Sequence, residues 1–152
     1  MVDIVDKATR SRMMSGIRSS NTKPEILTRK ALHSLGYRYR LGSRVGKIKP
    51  DIVLTRYKVA IFVHGCFWHQ HQGCKHAYSD RQRSDKWLKK FADNKERDKR
   101  VTATLLQKDW RVAVLWECVT RNSVEFEKEI NILEKWIKAD TSDYYETSYK
   151  KK

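Results

Sequence analysis

Between His64 and His76 the chain reads His-Gly-Cys-Phe-Trp-His-Gln-His-Gln-Gly-Cys-Lys-His, which packs four of its five histidines and two of its three cysteines into thirteen residues. Imidazole and thiolate are the ligands that zinc prefers, and a structural zinc site takes four of them in a tetrahedron. Cys66, His71 and Cys74 supply three from one loop, and Cys118, just past an apolar run, supplies a fourth. On spacing alone His69 and His76 are alternatives to His71. Metal binding at such a site contributes directly to folding, so it would hold a short irregular loop in one conformation. It would also leave His64 and His69 available for catalysis.

Were these histidines to serve phosphodiester cleavage, a hard-cation site would be the remaining requirement, and magnesium takes carboxylate, carbonyl and water oxygens. Asp51, after Pro50, opens the apolar run Ile52-Val53-Leu54, while the run from Val59 to Val63 ends beside His64. A hairpin joining the two runs would bring together the Asp51 carboxylate, the Val63 carbonyl and the His64 side chain. Magnesium held there can polarise a phosphate and lower the pKa of an attacking water. His69 suits the general base, because an unperturbed imidazole titrates near about 6.5. Glu25 is the carboxylate available to orient it, beside a simpler role in capping a helix.

The elements that must position these groups can be read from periodicity and punctuation. Thr22-Lys23-Pro24-Glu25 combines a capping hydroxyl, an early proline and a glutamate three residues after the cap, which predicts a helix from about 23 to 36. Residues 37 to 41 look extended, and residues 52–54 and 59–63 form a hairpin across a polar turn. A helix is expected over 84–107, a buried strand over 111–116 and a last helix over about 123–138, where Phe126, Ile130, Leu133 and Ile137 make one apolar stripe. On the 84–107 helix, Trp87, Phe91, Val101 and Leu105 share a face interrupted by Asn94 and Asp98. Either that polar pair is buried and satisfied by neighbours, or the face borders an active site or DNA. In the second case Lys90 at its edge could reach a phosphate or a base edge.

The chain has 152 residues, the size of one compact domain, with 33 Lys and Arg against 18 Asp and Glu, a formal charge of +15. A polyanion is the economical partner for that excess, and its spread through Lys7, Arg10, Arg12 and Arg18, then Arg38 to Lys49, suits an extended nucleic-acid footprint. No apolar run approaches the roughly 20 residues of a membrane-spanning helix, and the opening Met1-Val2-Asp3-Ile4-Val5-Asp6 does not read as a signal segment. With an odd number of cysteines, a cytoplasmic protein without a disulfide framework is expected, with no membrane association.

Asp6-Lys7-Ala8-Thr9-Arg10-Ser11, Pro50-Asp51, His64-Gly65-Cys66-Phe67-Trp68-His69, Glu96-Arg97-Asp98 and Trp110-Arg111-Val112 together resemble the very short patch repair (Vsr) endonucleases, in family order over roughly residues 5–137. The resemblance implies an α/β fold of the restriction-endonuclease-like type: a mixed central sheet flanked by helices, with a structural zinc site. It implies the activity too, a magnesium-dependent nick in double-stranded DNA 5′ of the thymine in a T:G mismatch left by deamination of 5-methylcytosine. Carried onto this sequence, it makes Asp51 and the Val63 main-chain carbonyl magnesium ligands, with His64 and His69 catalytic and Glu25 supporting them. Cys66, His71, Cys74 and Cys118 match the family's zinc ligands. Phe67 and Trp68, with Met14 from the N-terminal arm, are implied to wedge into the base stack, and Lys90 and Asn94 to lie near the mismatched bases. Lys7, Arg10 and Arg12 would hold phosphates.

The expected organisation is therefore a basic DNA-contacting arm over 1–20, the endonuclease domain over 21–138 and a polar, flexible tail over 139–152. Mismatch-repair proteins are expected as further partners. A monomer is expected, because a nick in one strand needs one active site. Two alternatives remain open at this level: a related nicking endonuclease with another site or lesion, and a zinc-stabilised DNA-binding module without catalysis. Magnesium-dependent nicking separates the module from both enzymes.

Overall fold

A computed structural model describes residues 22–40, 42–72, 74–75, 85–139 and 141–147. Helix α1 (Lys23–Ser34) begins as its sequence predicts, with the Thr22 hydroxyl accepting from the Glu25 amide at 3.4 Å and proline in the first turn. Residues 37–40 carry no strand pairing. Strand β1 (Ile52–Leu54) then leads through a 3₁₀ turn (Thr55–Tyr57) into β2 (Val59–His64). Lys58 closes this turn in the left-handed region, at φ 53°. Helix α2 (Asp85–Gln107), β3 (Arg111–Trp116), a second 3₁₀ segment (Glu117–Arg121), α3 (Ser123–Ala139) and β4 (Tyr144–Glu146) complete the order.

The sheet runs β1-β2-β3-β4, with β1 antiparallel to β2 and the other neighbours parallel. This is the mixed sheet that the sequence predicts. Its one unforeseen member is β4: residues 144–146 fall in the segment read as a polar, flexible tail, yet they pair with Val112 to Val114 of β3.

Side chains of a strand alternate between faces, and the two hydrophobic clusters sort accordingly. Ile52, Leu54, Val59, Ile61, Val63, Ala113 and Leu115 pack with Leu32 of α1 and with Ile130, Leu133, Trp136 and Ile137 of α3. Val53, Ala60, Val112, Val114 and Trp116 pack on the other face with Leu105 of α2, Cys66 and Cys74. The result is three layers, with α1 and α3 on one side of the sheet and α2 on the other. β3 is buried along all six residues, as expected of a strand paired on both edges and covered on both faces.

The layering positions the site. β2 and β3 run parallel, so His64 and Trp116 end their strands side by side. Val63 belongs to the α1 face and His64 to the α2 face, which makes the end of β2 the point where groups from both layers meet.

Candidate active site

On the α1 side of that point, Asp51 Oδ2 accepts a 2.7 Å hydrogen bond from the Val63 amide, extending the hairpin one step beyond the Ile52–Ile61 pair. Glu25, only 2% exposed, hydrogen-bonds to Asp51 and pairs with Arg29 at 3.3 Å. Burial, and then the neighbouring Glu25 charge, push the Asp51 carboxyl up to about 7, although the Val63 amide and Arg29 act in the opposite direction. Among the described residues, two carboxylates buried together beside Arg29 make an acidic pair on which a cation can bind. Their donor set is all oxygen, which fits a hard divalent ion.

On the α2 side, His69 Nδ1 lies 2.6 Å from Asp98 Oδ2, and His64 Nε2 lies 3.9 Å from the other oxygen of the same carboxylate. The two imidazoles stack at 3.9 Å with their planes 4° apart. Burial holds His64 down to about 3, so its ring is neutral over the whole physiological range. His64 Nδ1 is buried without a hydrogen-bond partner among the described residues. A proton there would be a stranded donor, so the neutral ring carries its hydrogen on Nε2. For His69 the reverse tautomer follows: Nδ1–H donates to Asp98 and Nε2 keeps its lone pair.

The orienting carboxylate of His69 is therefore Asp98, whereas the sequence reading offered Glu25 for that task. The reason is the layering: Glu25 stands on α1 with Asp51, and Asp98 stands on α2, across the sheet edge. Asp98 was visible in the sequence as a polar break in the apolar face of its helix. Nothing local indicates which loop would reach it.

The loop itself ends like a helix. Following Gly65, His69 N–H bonds to the Gly65 carbonyl, Gln70 N–H to Phe67 and His71 N–H to Cys66, with Gln70 in the left-handed region at φ 52°. This is the hydrogen-bond pattern of a Schellman cap. It reverses the chain between His69, which faces Asp98, and His71, which turns inward to the cysteines. His71 Nδ1 is 3.8 Å from Cys66 Sγ and 3.5 Å from Cys118 Sγ, and one ligand atom from each of Cys66, His71, Cys74 and Cys118 lies within 4.8 Å of all the others. Around a tetrahedral ion with bonds of about 2.0–2.3 Å, ligand atoms stand roughly 3.5 Å apart, so these four fit one. Burial lowers the His71 pKa and so favours the neutral, ligating form. The Cys118 side chain and burial both raise the Cys66 thiol, a cost that a bound cation would remove.

The outward side of the same turn carries Phe67 and Trp68, which meet the first turns of α2. Phe67 contacts Phe91 at 5.1 Å and Trp87 at 5.7 Å, and Trp68 contacts Trp87 at 5.3 Å. Lys90 Nζ sits 5.1 Å above the Trp68 ring, and Asn94 Nδ2 donates to the Trp68 carbonyl at 3.1 Å. Phe67, Trp68, Lys90 and Asn94, each singled out from the sequence, thus form one surface, with Trp68 36% exposed. Trp87 belongs to this surface and was read from the sequence only as part of an apolar helix face. Lys7, Arg10, Arg12, Met14 and His76 lie outside the described residues. Among the described residues, no helix is long and apolar enough to cross a membrane.

The family model described as DNA mismatch endonuclease Vsr matches residues 2–76. The chain is similar to the DNA mismatch endonuclease Vsr of Escherichia coli K12, at 37% identity over 139 residues, which covers 90% of this chain and 88% of that protein. It is also similar to the type II nicking enzyme V.NmeAIP of Neisseria meningitidis serogroup A, at 40% identity over 138 residues, 91% of this chain and 98% of the relative. The nicking enzyme V.XorIIP of Xanthomonas oryzae pv. oryzae is 43% identical over 118 residues, 78% of this chain and 86% of the relative.

Proposed function

The chain belongs to the DNA mismatch endonuclease Vsr family, and from that premise we propose that it nicks double-stranded DNA 5′ of the thymine in a T:G mismatch, using magnesium for catalysis and zinc for structure. The observation that carries this reading is that two different devices are anchored at adjacent residues, Val63 and His64, at the end of β2. One is the Asp51–Glu25 carboxylate pair; the other is the His69–Asp98 pair with His64 stacked upon it.

Asp51, Glu25 and the Val63 carbonyl would hold the magnesium ion. When bound, it would polarise the phosphoryl group and acidify the attacking water. His69 Nε2, with its ring held by the Asp98 contact at Nδ1, would serve as the base that accepts a proton from an attacking water. His64, neutral and with its hydrogen on Nε2, donates a hydrogen bond toward the phosphate that gains charge. Cys66, His71, Cys74 and Cys118 would hold zinc, which would keep the loop in register. Phe67, Trp68 and Trp87 offer three ring faces beside this centre, suited to a base step that is already poorly stacked. Opening a mismatch costs less than opening a matched pair, which supports selectivity for the lesion. Lys90 and Asn94 stand at the edge of these rings, within reach of base edges. The N-terminal arm, through Lys7, Arg10, Arg12 and Met14, would add phosphate contacts and one more apolar wedge.

The test is strand-resolved cleavage of a duplex with one central T:G pair against T:A and C:G controls, with magnesium and in its absence. The expected result is a magnesium-dependent nick confined to the thymine strand. Equal cutting of all three duplexes would reject the mismatch specificity, and binding without cutting would reject the enzyme.

A further inference from the structure

His64 makes no close hydrogen bond among the described residues: its Nδ1 is unpartnered and its Nε2 is 3.9 Å from Asp98. Packing must therefore set the direction of its ring. On one side it stacks on His69 at 3.9 Å, and on another it meets the edge of Trp116 at 5.2 Å with the planes 73° apart. Trp116 also stacks on the zinc-loop residue His71 at 4.2 Å with the planes 6° apart, and it approaches His69 at 6.4 Å. One indole thus touches the metal cluster and both histidines of the catalytic pair.

The indole is itself held by β4. Trp116 Nε1 donates to Glu146 Oε2 at 2.8 Å, the Trp116 amide donates to the Thr147 hydroxyl at 3.0 Å, and Tyr144 OH donates to the other Glu146 oxygen at 2.6 Å. Trp116 is 8% exposed, and a buried indole N–H without an acceptor would be costly, so the Glu146 bond fixes the ring in its plane. Its acceptor is a carboxylate, which makes the bond charge-assisted and directional.

We propose that Trp116 and Glu146 are positioning residues for the nicking reaction, with Glu146 locking the indole that sets His64 and His69 in line with the metal-bound loop. The inference rests on the reading of His64 and His69 as the catalytic pair. It gives β4 a function: the strand delivers Glu146 and Thr147 to the end of β3, where the histidines stand. The role assigned to both residues is to hold the histidines and not to contact the substrate, so their loss should slow the chemical step while leaving DNA affinity alone.

The experiment compares wild type, Glu146→Ala, Glu146→Gln and Tyr144→Phe in single-turnover nicking of the T:G duplex, with the dissociation constant, bound zinc and melting temperature measured on each. Misplacement of reacting groups by a fraction of an ångström to about 1 Å costs about tenfold to a hundredfold in rate, and Glu146→Ala should lose that much with Kd and zinc content unchanged. Glu146→Gln keeps an oxygen acceptor and should recover to within a few-fold of wild type, and Tyr144→Phe should fall between the two. A wild-type rate in Glu146→Ala overturns the proposal. So does a loss in Glu146→Ala that tracks zinc release, a lowered melting temperature or weaker DNA binding, or a loss equally deep in Glu146→Gln. If the wild-type protein itself fails to nick, the underlying reading of the histidines fails instead.

Discussion

The Asp51–Glu25 pair implies that the site works against the stability of the protein until a cation arrives. The Asp51 carboxyl is raised from 3.8 to about 7, first by burial and then by Glu25. For a carboxyl whose folded pKa lies above its unfolded value, stability is fully present below about 4 and is lost as pH rises through about 7. At about 1.4 kcal/mol per pK unit, a shift of this size sets a ceiling of about 4 kcal/mol on the penalty at pH 8 without magnesium. Asp51→Asn removes the charge while keeping the shape. Its amide oxygen can still accept from the Val63 amide, and its NH2 can donate to Glu25. The variant should therefore melt higher than wild type at pH 8, by roughly 1–3 kcal/mol or several degrees in a chain of this size, and should show less than half of that gain at pH 5. The assay is thermal unfolding by circular dichroism in magnesium-free, zinc-replete buffer at both pH values, followed by magnesium titration. Magnesium should raise the melting temperature of wild type and not of Asp51→Asn, while nicking is abolished in the variant. A variant less stable than wild type at pH 8, or one whose gain is the same at pH 5, would refute the reasoning.

Three further outcomes follow from the same geometry. Cys118→Ala should lose bound zinc and melt lower, measured by metal analysis and calorimetry; one retained zinc equivalent at the wild-type melting temperature would reject the four-ligand site. Asp98→Asn should leave DNA binding intact and lower single-turnover nicking by about a hundredfold or more, because an amide no longer selects the His69 tautomer that accepts a proton at Nε2. An unchanged rate would remove Asp98 from the catalytic geometry. Trp87→Ala should weaken binding to the T:G duplex by about 1–3 kcal/mol, the worth of one base–aromatic stack, and should affect the fully paired duplex less. Equal losses on both duplexes in a competition assay would make Trp87 a packing residue.

What the sequence could and could not yield divides along the range of the interactions involved. The Thr22 cap, the hairpin of β1 and β2 and the stripe of α3 are set by residues within a few positions of one another, and each formed where the pattern put it. The grouping of Cys66, His71, Cys74 and Cys118, which could hold a metal, was legible because three of its members share one loop and the thiols had no disulfide role to fill. β4 was not, since Tyr144-Tyr145-Glu146 sits in a polar stretch, has only three residues and is partly exposed. Its hydrogen bonds come from the edge of β3, some thirty positions back in the chain. The partner of His69 was misread for the same reason: helical periodicity gave the face on which Asp98 lies, but only the packing of α2 across the end of β2 selects it over Glu25.

The alternation of duties along the loop has a physical logic. His64 and His69 face Asp98, while Cys66 and His71, two residues on from each, face the cluster that could hold a metal. Ordering an irregular segment costs about 1–2 kcal/mol per residue in backbone freedom, and the loop from His64 to Cys74 has little apolar surface to offset that. A structural zinc site contributes about 10–16 kcal/mol of apparent binding energy, the same scale as the cost of fixing such a loop. The exposed Trp68 ring can then remain available for DNA, while half-buried Phe67 packs on Phe91 and Trp87. On this account a metal held two residues from each histidine would let the site be rigid while keeping the Trp68 ring at the surface. Stripping the metal should therefore abolish nicking and mismatch preference together, even where the sheet itself stays folded.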